Sequence, residues 1–175
     1  MSKYISDTVI YENIECNKNA FELFTLLSDR KAKVAFAESL TGGMLTSTLV
    51  DIPGSSSLLD GSVVSYSNSV KIDKLKVPKE VIDSVGPVSS ECAEAMASGV
   101  LNLMNSNFAV SVTGIAGPGG EEEGKPVGTV YIGIASDTGY VDSYRFVFEG
   151  DRTEVRRRTC DKALSLICDY IKGIK

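Results

Sequence analysis

Histidine is absent from all 175 residues of the chain. The commonest general base, the commonest zinc ligand and every serine–histidine–aspartate triad are excluded together, so any hydrolytic chemistry must move its proton with another side chain. Basic residues are not in excess: 18 Lys and Arg against 23 Asp and Glu leave a net charge of -5. That balance is the reverse of a nucleic-acid footprint, so no nucleic-acid partner is expected, while a phosphorylated metabolite can still be held by local basic groups. No apolar run approaches twenty residues and no leader pattern opens the chain, so neither a membrane span nor a secretory signal is expected. The four cysteines, Cys16, Cys92, Cys160 and Cys168, lack any CxxC spacing, which predicts a reduced, cytoplasmic setting. Without clustered His or Cys, and with Glu121–Glu123 read as a solvated loop, no metal and no cofactor is expected.

What is present is a composition of 43% hydrophobic and 23% charged residues, enough apolar material for one globular domain over 1–175, with 1–13 as an N-terminal arm lacking a clear period. Residues 16–28 carry an amphipathic helix through Ala20, Phe21, Phe24 and Leu27. The stretch that organises the rest is KVAFAESLTGGMLTSTLV, Lys33 to Val50. Val34 and Phe36 point one way and Ala35 and Ala37 the other along a strand; a turn with Gly42-Gly43 follows; then a helix with Met44, Leu45, Thr48, Leu49 and Ile52 on one stripe runs to Pro53-Gly54. Ser55–Ser57 caps a helical turn through Leu58-Leu59, and Gly61–Ser65 is a strand. The segment 69–75 is short and charged on one side (Lys71, Asp73, Lys74), and Pro78 opens a further helical turn. Residues 90–104 form the cleanest helix, with Met96 and Met104 as core filler. Phe108–Thr113 is a strand buried on both faces, 127–136 and 140–148 form a hairpin, and Gly150-Asp151 caps a final helix. The expected fold is α/β, a three-layer α/β/α arrangement with a mixed sheet of about five strands.

Polar groups cluster where strands end. In AESLTGG, Ser39 can present a hydroxyl, Thr41 can orient a ligand, and the N–H groups around Gly42 and Gly43 can receive developing negative charge. A capped helix start with packing glycines accounts for the same seven residues, and Glu38 can bind ligand, hold a lysine or pair with a neighbouring strand. In YSNSVK, Tyr66, Asn68 and Lys71 follow a second strand. A loop start explains them, yet in a chain without His a desolvated lysine is a competent base for a serine, with Tyr66 relaying the proton or holding substrate. VTGIAGPGG fits neither GxxxxGK[ST] nor GxGxxG; Thr113, Gly114 and Gly117 read as a close-approach loop. In GDRTEVRRR, Arg152 and Arg156 stand one helical turn apart. Solvated surface is the default for such a run, and a phosphate or carboxylate is the alternative.

AESLTGG, YSNSVK, VTGIAGPGG, KPVGTV (Lys125 to Val130) and GDRxxVR together resemble the motif set of the CinA C-terminal, or PncC, family of nicotinamide mononucleotide amidohydrolases, over about residues 15 to 172. The resemblance implies hydrolysis of the carboxamide of nicotinamide mononucleotide to nicotinate mononucleotide and ammonia for NAD recycling. Ser39 matches the attacking serine, and Tyr66 and Lys71 match the tyrosine and lysine of the second motif. Longer members carry an N-terminal domain resembling molybdopterin-binding proteins, and this chain is expected to be the stand-alone form. One departure lies after Pro118, where Gly-Gly-Glu-Glu-Glu-Gly precedes Lys125 in place of two glycines and a small hydroxyl residue. Substrate contacts are expected from Glu38, Thr41, Gly42, Gly43, Asn68, Thr113, Gly114, Gly117, Arg152 and Arg156, with the last two and the glycine-loop N–H groups as phosphate anchors. A homo-oligomer is expected, as for many small α/β enzymes. The contrasting expectation is a non-catalytic pyridine-nucleotide-binding regulatory domain tied to competence or the DNA damage response.

Overall fold

The computed structural model describes residues 17–174; the stretch 1–13, read as an arm, and Cys16 lie outside the described residues. The elements follow in the order α1 (Lys18–Arg30), β1 (Val34–Glu38), α2 (Met44–Val50), a 3-10 turn (Ser55–Ser57), β2 (Leu59–Val64), α3 (Asn68–Leu75), α4 (Lys79–Ser84), α5 (Ser90–Met104), β3 (Phe108–Gly114), β4 (Thr129–Ser136), β5 (Val141–Val147) and α6 (Arg152–Gly173). Local chemistry sets several boundaries. Asn17, Ser67 and Ser89 accept N–H groups at the starts of α1, α3 and α5, and Asp151 with Glu154 closes a full capping box on α6, satisfying donors that a helix start leaves unpaired.

The strands form one five-stranded sheet in the order β2-β1-β3-β4-β5. β1 runs parallel to β2 and β3, and β4 runs antiparallel to β3 and β5. Helices cover both faces, giving the expected α/β class with a mixed sheet. The two faces differ in side-chain size. One carries Val34, Phe36, Phe108, Val110, Val112, Val130, Ile132 and Ile134, packed with α1, α2 and α6 residues such as Leu23, Leu45 and Leu164. The other carries Ala35, Ala37, Ala109 and Ala135 against α3 and α5. Small residues let α5 lie close: a Cβ at Gly133 would stand 2.5 Å from the Ala93 carbonyl oxygen, and Ser111 Oγ donates to that same oxygen. Each large aliphatic or aromatic side chain buried on the first face contributes about 1.5–3 kcal/mol.

This topology positions the site. The chain leaves β1 for β2 on one side and returns to β3 on the other, so β1 sits at a topological switch point, where open α/β sheets bind ligands beyond the strand ends. Because the three strands are parallel and Glu38 is level with Val64 and Val112, the turns after β1, β2 and β3 emerge side by side.

Two local expectations change. The helical turn expected through Leu58-Leu59 lies earlier, at Ser55–Ser57, and β2 already begins at Leu59. The segment 69–75, read as short and charged on one side, is helix α3, and Lys71 faces inward at 1 % exposure. Periodicity places a lysine on the outer face, whereas here a buried carbonyl and hydroxyl receive its amine.

Candidate active site

Ser39 is the first residue past β1. Its N–H donates to Val112 O (3.0 Å), holding it level with β3, and its own carbonyl accepts from Gly42 N (3.2 Å), closing the turn. Gly42 and Gly43 both take positive φ, +60° and +97°, a backbone shape that favours glycine. Opposite stands Lys71 of α3. Its Nζ donates to Ser65 O at 2.6 Å and lies 3.2 Å from Ser39 Oγ. No carboxylate pairs with it among the described residues. Burial holds the amine below the ordinary lysine value, with the neighbouring Cys92 pulling weakly the other way. A neutral amine at that position can accept the serine proton.

The cleft around this pair has a volume of about 210 Å³ and is lined by Ser39, Leu40, Tyr66, Asn68, Lys71, Pro87, Val88, Thr113, Gly114, Ala116 and Arg152. Its wall carries two basic side chains, the titrating Lys71 and the permanently charged Arg152, and among the described residues no carboxylate, so a chain of net charge -5 has a locally basic cleft. Arg152, the first residue of α6, joins two of the turns: it donates to Gly117 O (2.7 Å) and to the Tyr66 hydroxyl (2.9 Å). Thr113 donates to Pro87 O (2.7 Å) and so fixes the loop before α5 against the cleft.

Gly114 has a specific geometry. Alternate residues of β3 address β1, and Val112 O receives the Ser39 N–H; Gly114, two residues on, addresses the same side, where β1 has ended. Its N–H makes no hydrogen bond to Ser39 O or to another group on that side among the described residues. A side chain here would meet Thr129 O at 2.6 Å, so glycine at 114 reflects close packing on β4.

The structure therefore brings Ser39, Tyr66, Asn68, Lys71, Thr113, Gly114 and Arg152 into one cleft, and places the other expected residues elsewhere. The Glu38 carboxylate is fully buried and accepts the N–H groups of Gly43, Leu45 and Thr46 and the Thr46 hydroxyl; it caps α2, whose N-cap Gly43 has no side chain to do so. The N–H groups of Gly42 and Gly43 are occupied by Ser39 O and Glu38, so neither is free for a ligand, and both glycines line a separate cavity of about 550 Å³ with Arg156. Arg156 donates to Leu40 O and Thr41 O. Thr41 is buried with an unpartnered hydroxyl and is not on the cleft wall. Gly117 contributes its carbonyl to Arg152 rather than a surface to the cleft. Tyr66 is 62 % exposed and bonds Arg152, so Lys71 meets Ser39 directly and not through the phenol. Leu40, Pro87, Val88 and Ala116 went unread as wall residues. Gly86-Pro87 follows the end of α4, and only tertiary packing turns Pro87 toward Ser39.

A mixed α/β sheet with a polar, cation-bearing cleft at the carboxyl ends of its parallel strands defines the structural class. The family model of the CinA C-terminal domain matches residues 17–171, and the chain belongs to that family. A CinA-like protein of Fervidobacterium nodosum is 50% identical over 137 residues, 78% of this chain and 33% of that protein; the chain thus spans about a third of the length of such curated relatives. The crystal structure of the competence/damage inducible protein CihA from Agrobacterium tumefaciens superposes with a TM-score of 0.86 at 37% identity, covering 90% of this chain and 95% of that one. The competence damage-inducible protein A (ComA) of Klebsiella pneumoniae gives 0.87 at 30% identity, covering 91% and 98%. Among the described residues no helix is long and apolar enough to cross a membrane.

Proposed function

We propose that this domain hydrolyses the carboxamide of nicotinamide mononucleotide, releasing ammonia and nicotinate mononucleotide. Ser39 Oγ attacks the carboxamide carbon while Lys71 Nζ takes the hydroxyl proton, and the carbonyl π pair moves onto oxygen. The N–H groups of Gly114 and Leu40, both residues of the cleft wall, make no hydrogen bond among the described residues and are the donors that can receive this oxyanion. Collapse breaks the C–N bond, Lys71 returns its proton to the leaving nitrogen, and ammonia departs from an acyl-serine. Water, deprotonated by Lys71, then frees the acid and restores Ser39.

The observation that carries this reading is the 3.2 Å approach of a buried, carboxylate-free lysine to a serine at a topological switch point. The Arg152 guanidinium in the wall favours a phosphorylated substrate, and Arg152 with Tyr66 is the pair we assign to its 5′-phosphate. The test is incubation of the protein with the mononucleotide while ammonia and the acid product are measured. Stoichiometric appearance of both is expected. Binding of the nucleotide without ammonia would favour the other reading, a sensing domain, which draws on relatives titled competence/damage inducible.

A further inference from the structure

We propose that the cleft selects the oxidised, cationic pyridine ring over its neutral dihydro form, because the ring charge, brought in beside Lys71, expels a proton from the amine to solvent and so makes the base in the act of binding. For the placement of the ring this rests on the amidase reading above. The partners of Nζ suit both protonation states: Ser65 O accepts at 2.6 Å in either, while Ser39 Oγ at 3.2 Å accepts from the ammonium and donates to the neutral amine. At 1 % exposure, the third ammonium hydrogen has no acceptor among the described residues, so the neutral form is the better satisfied of the two. The titratable groups facing Lys71 are Cys92 of α5 and, across the cleft, Tyr66 and Arg152. Cys92 is a neutral thiol at neutral pH, pushed up to about 11 by burial, and Asp73 and Lys74 of the lysine's own helix are exposed. What the cleft offers a ring is aliphatic: Leu40, Pro87, Val88 and Ala116. Among the described residues no carboxylate lines it, so a quaternary ring nitrogen held there has no counter-charge from the wall. Attack by Ser39 requires the carboxamide carbon about 3–3.5 Å from Oγ, and the covalent frame of a 3-carboxamidopyridine then sets the ring nitrogen roughly 6–8 Å from Nζ. Two like charges at that spacing in a partly desolvated cleft oppose each other by the equivalent of about 1–2 pH units. Of the two, only Lys71 can give up its charge. Arg152, assigned to the 5′-phosphate, stays protonated throughout. A neutral ring leaves Lys71 protonated at a pH where the cationic ring has already freed its lone pair for the serine proton.

Proton release on binding reads this without turnover. Ser39→Ala is titrated by calorimetry, in two buffers of different ionisation enthalpy and from about pH 7 to 10, with nicotinamide mononucleotide and with its 1,4-dihydropyridine form. The two nucleotides share carboxamide, ribose and phosphate, so phosphate ionisation cancels between them. The oxidised nucleotide is expected to release up to about one proton more than the reduced one, and Ser39→Ala combined with Lys71→Met to lose that excess. In wild type, the limb of kcat, which reports the bound enzyme, should lie about 1–2 pH units below the limb of kcat/KM, which reports the free one. Equal release by both nucleotides, an excess that survives Lys71→Met, or coincident limbs would overturn the proposal. If the oxidised nucleotide binds but wild type releases no ammonia, the amidase reading fails alone, and the presence or lack of the excess proton still decides this inference. A chain that binds neither nucleotide overturns both.

Discussion

At the scale of single residues, Lys71 carries the largest conflict between stability and chemistry. A lysine with 1 % exposure and no carboxylate partner among the described residues opposes folding in its charged form. Its folded pKa lies below the ordinary 10.5, so between those two values the unfolded chain holds a proton that the folded chain has released. Stability from this group therefore rises with pH across that window, and below the folded pKa the charge is buried at full cost. Lys71→Met is expected to raise the urea midpoint at neutral pH, to remove that rise, and to lower ammonia release by about 10³-fold or more. In wild type, kcat should increase with pH through an apparent pKa below 10.5, the limb being deprotonation of Lys71. Ser39→Ala should reduce turnover by a similar or greater factor, with the melting temperature nearly unchanged because one half-buried hydroxyl is lost. Wild-type ammonia release from that variant would remove covalent attack from position 39.

At the scale of elements, two packing features hold Ser39 and Lys71 in register. Glu38 satisfies three backbone donors at the start of α2. Glu38→Ala is expected to cost roughly 3 kcal/mol or more by leaving them unpaired, read from the urea midpoint. Gly99 is where α5 meets α3: an added Cβ would stand 1.9 Å from Leu75 O. Gly99→Ala should push α3, and Lys71 with it, away from Ser39, costing about 1–3 kcal/mol and lowering kcat in the same preparation. A variant with native stability and kcat would show that α3 is not held by this contact. The elements were unevenly legible. The alternation of Val34 and Phe36 with Ala35 and Ala37, and the three- and four-residue steps of 90–104, are long enough patterns to read directly. Helix α3 is only eight residues long, and its inward Lys71 breaks the pattern that would have marked it.

At the scale of the whole molecule, the sheet order makes the site possible: crossing over β1 sets three turns, far apart in sequence, along one edge. The same burial protects the thiols. Burial pushes Cys92 up to about 11 and Cys168 up to about 12, and raises Cys160 as well. A thiol titration with a disulfide reagent should find these three unreactive in the native protein and reactive in denaturant; rapid reaction of any of them in the folded state would refute that. Sequence alone determined the absence of imidazole chemistry, the acidic balance, the strand–turn–helix at Ser39 and the motif set, because each is a property of composition or of neighbours along the chain. Tertiary structure decided which groups face the cleft. Glu38, Gly42 and Gly43 sit beside the candidate serine in sequence and Arg156 in a motif of its own, yet all four bond the protein's own backbone, whereas Lys71, 32 residues downstream, becomes the neighbour of the serine. A hydrogen-bonding group is free for a ligand only after the fold has met its internal demands, and for Lys71 and Arg156 the partners that meet them come from other parts of the chain.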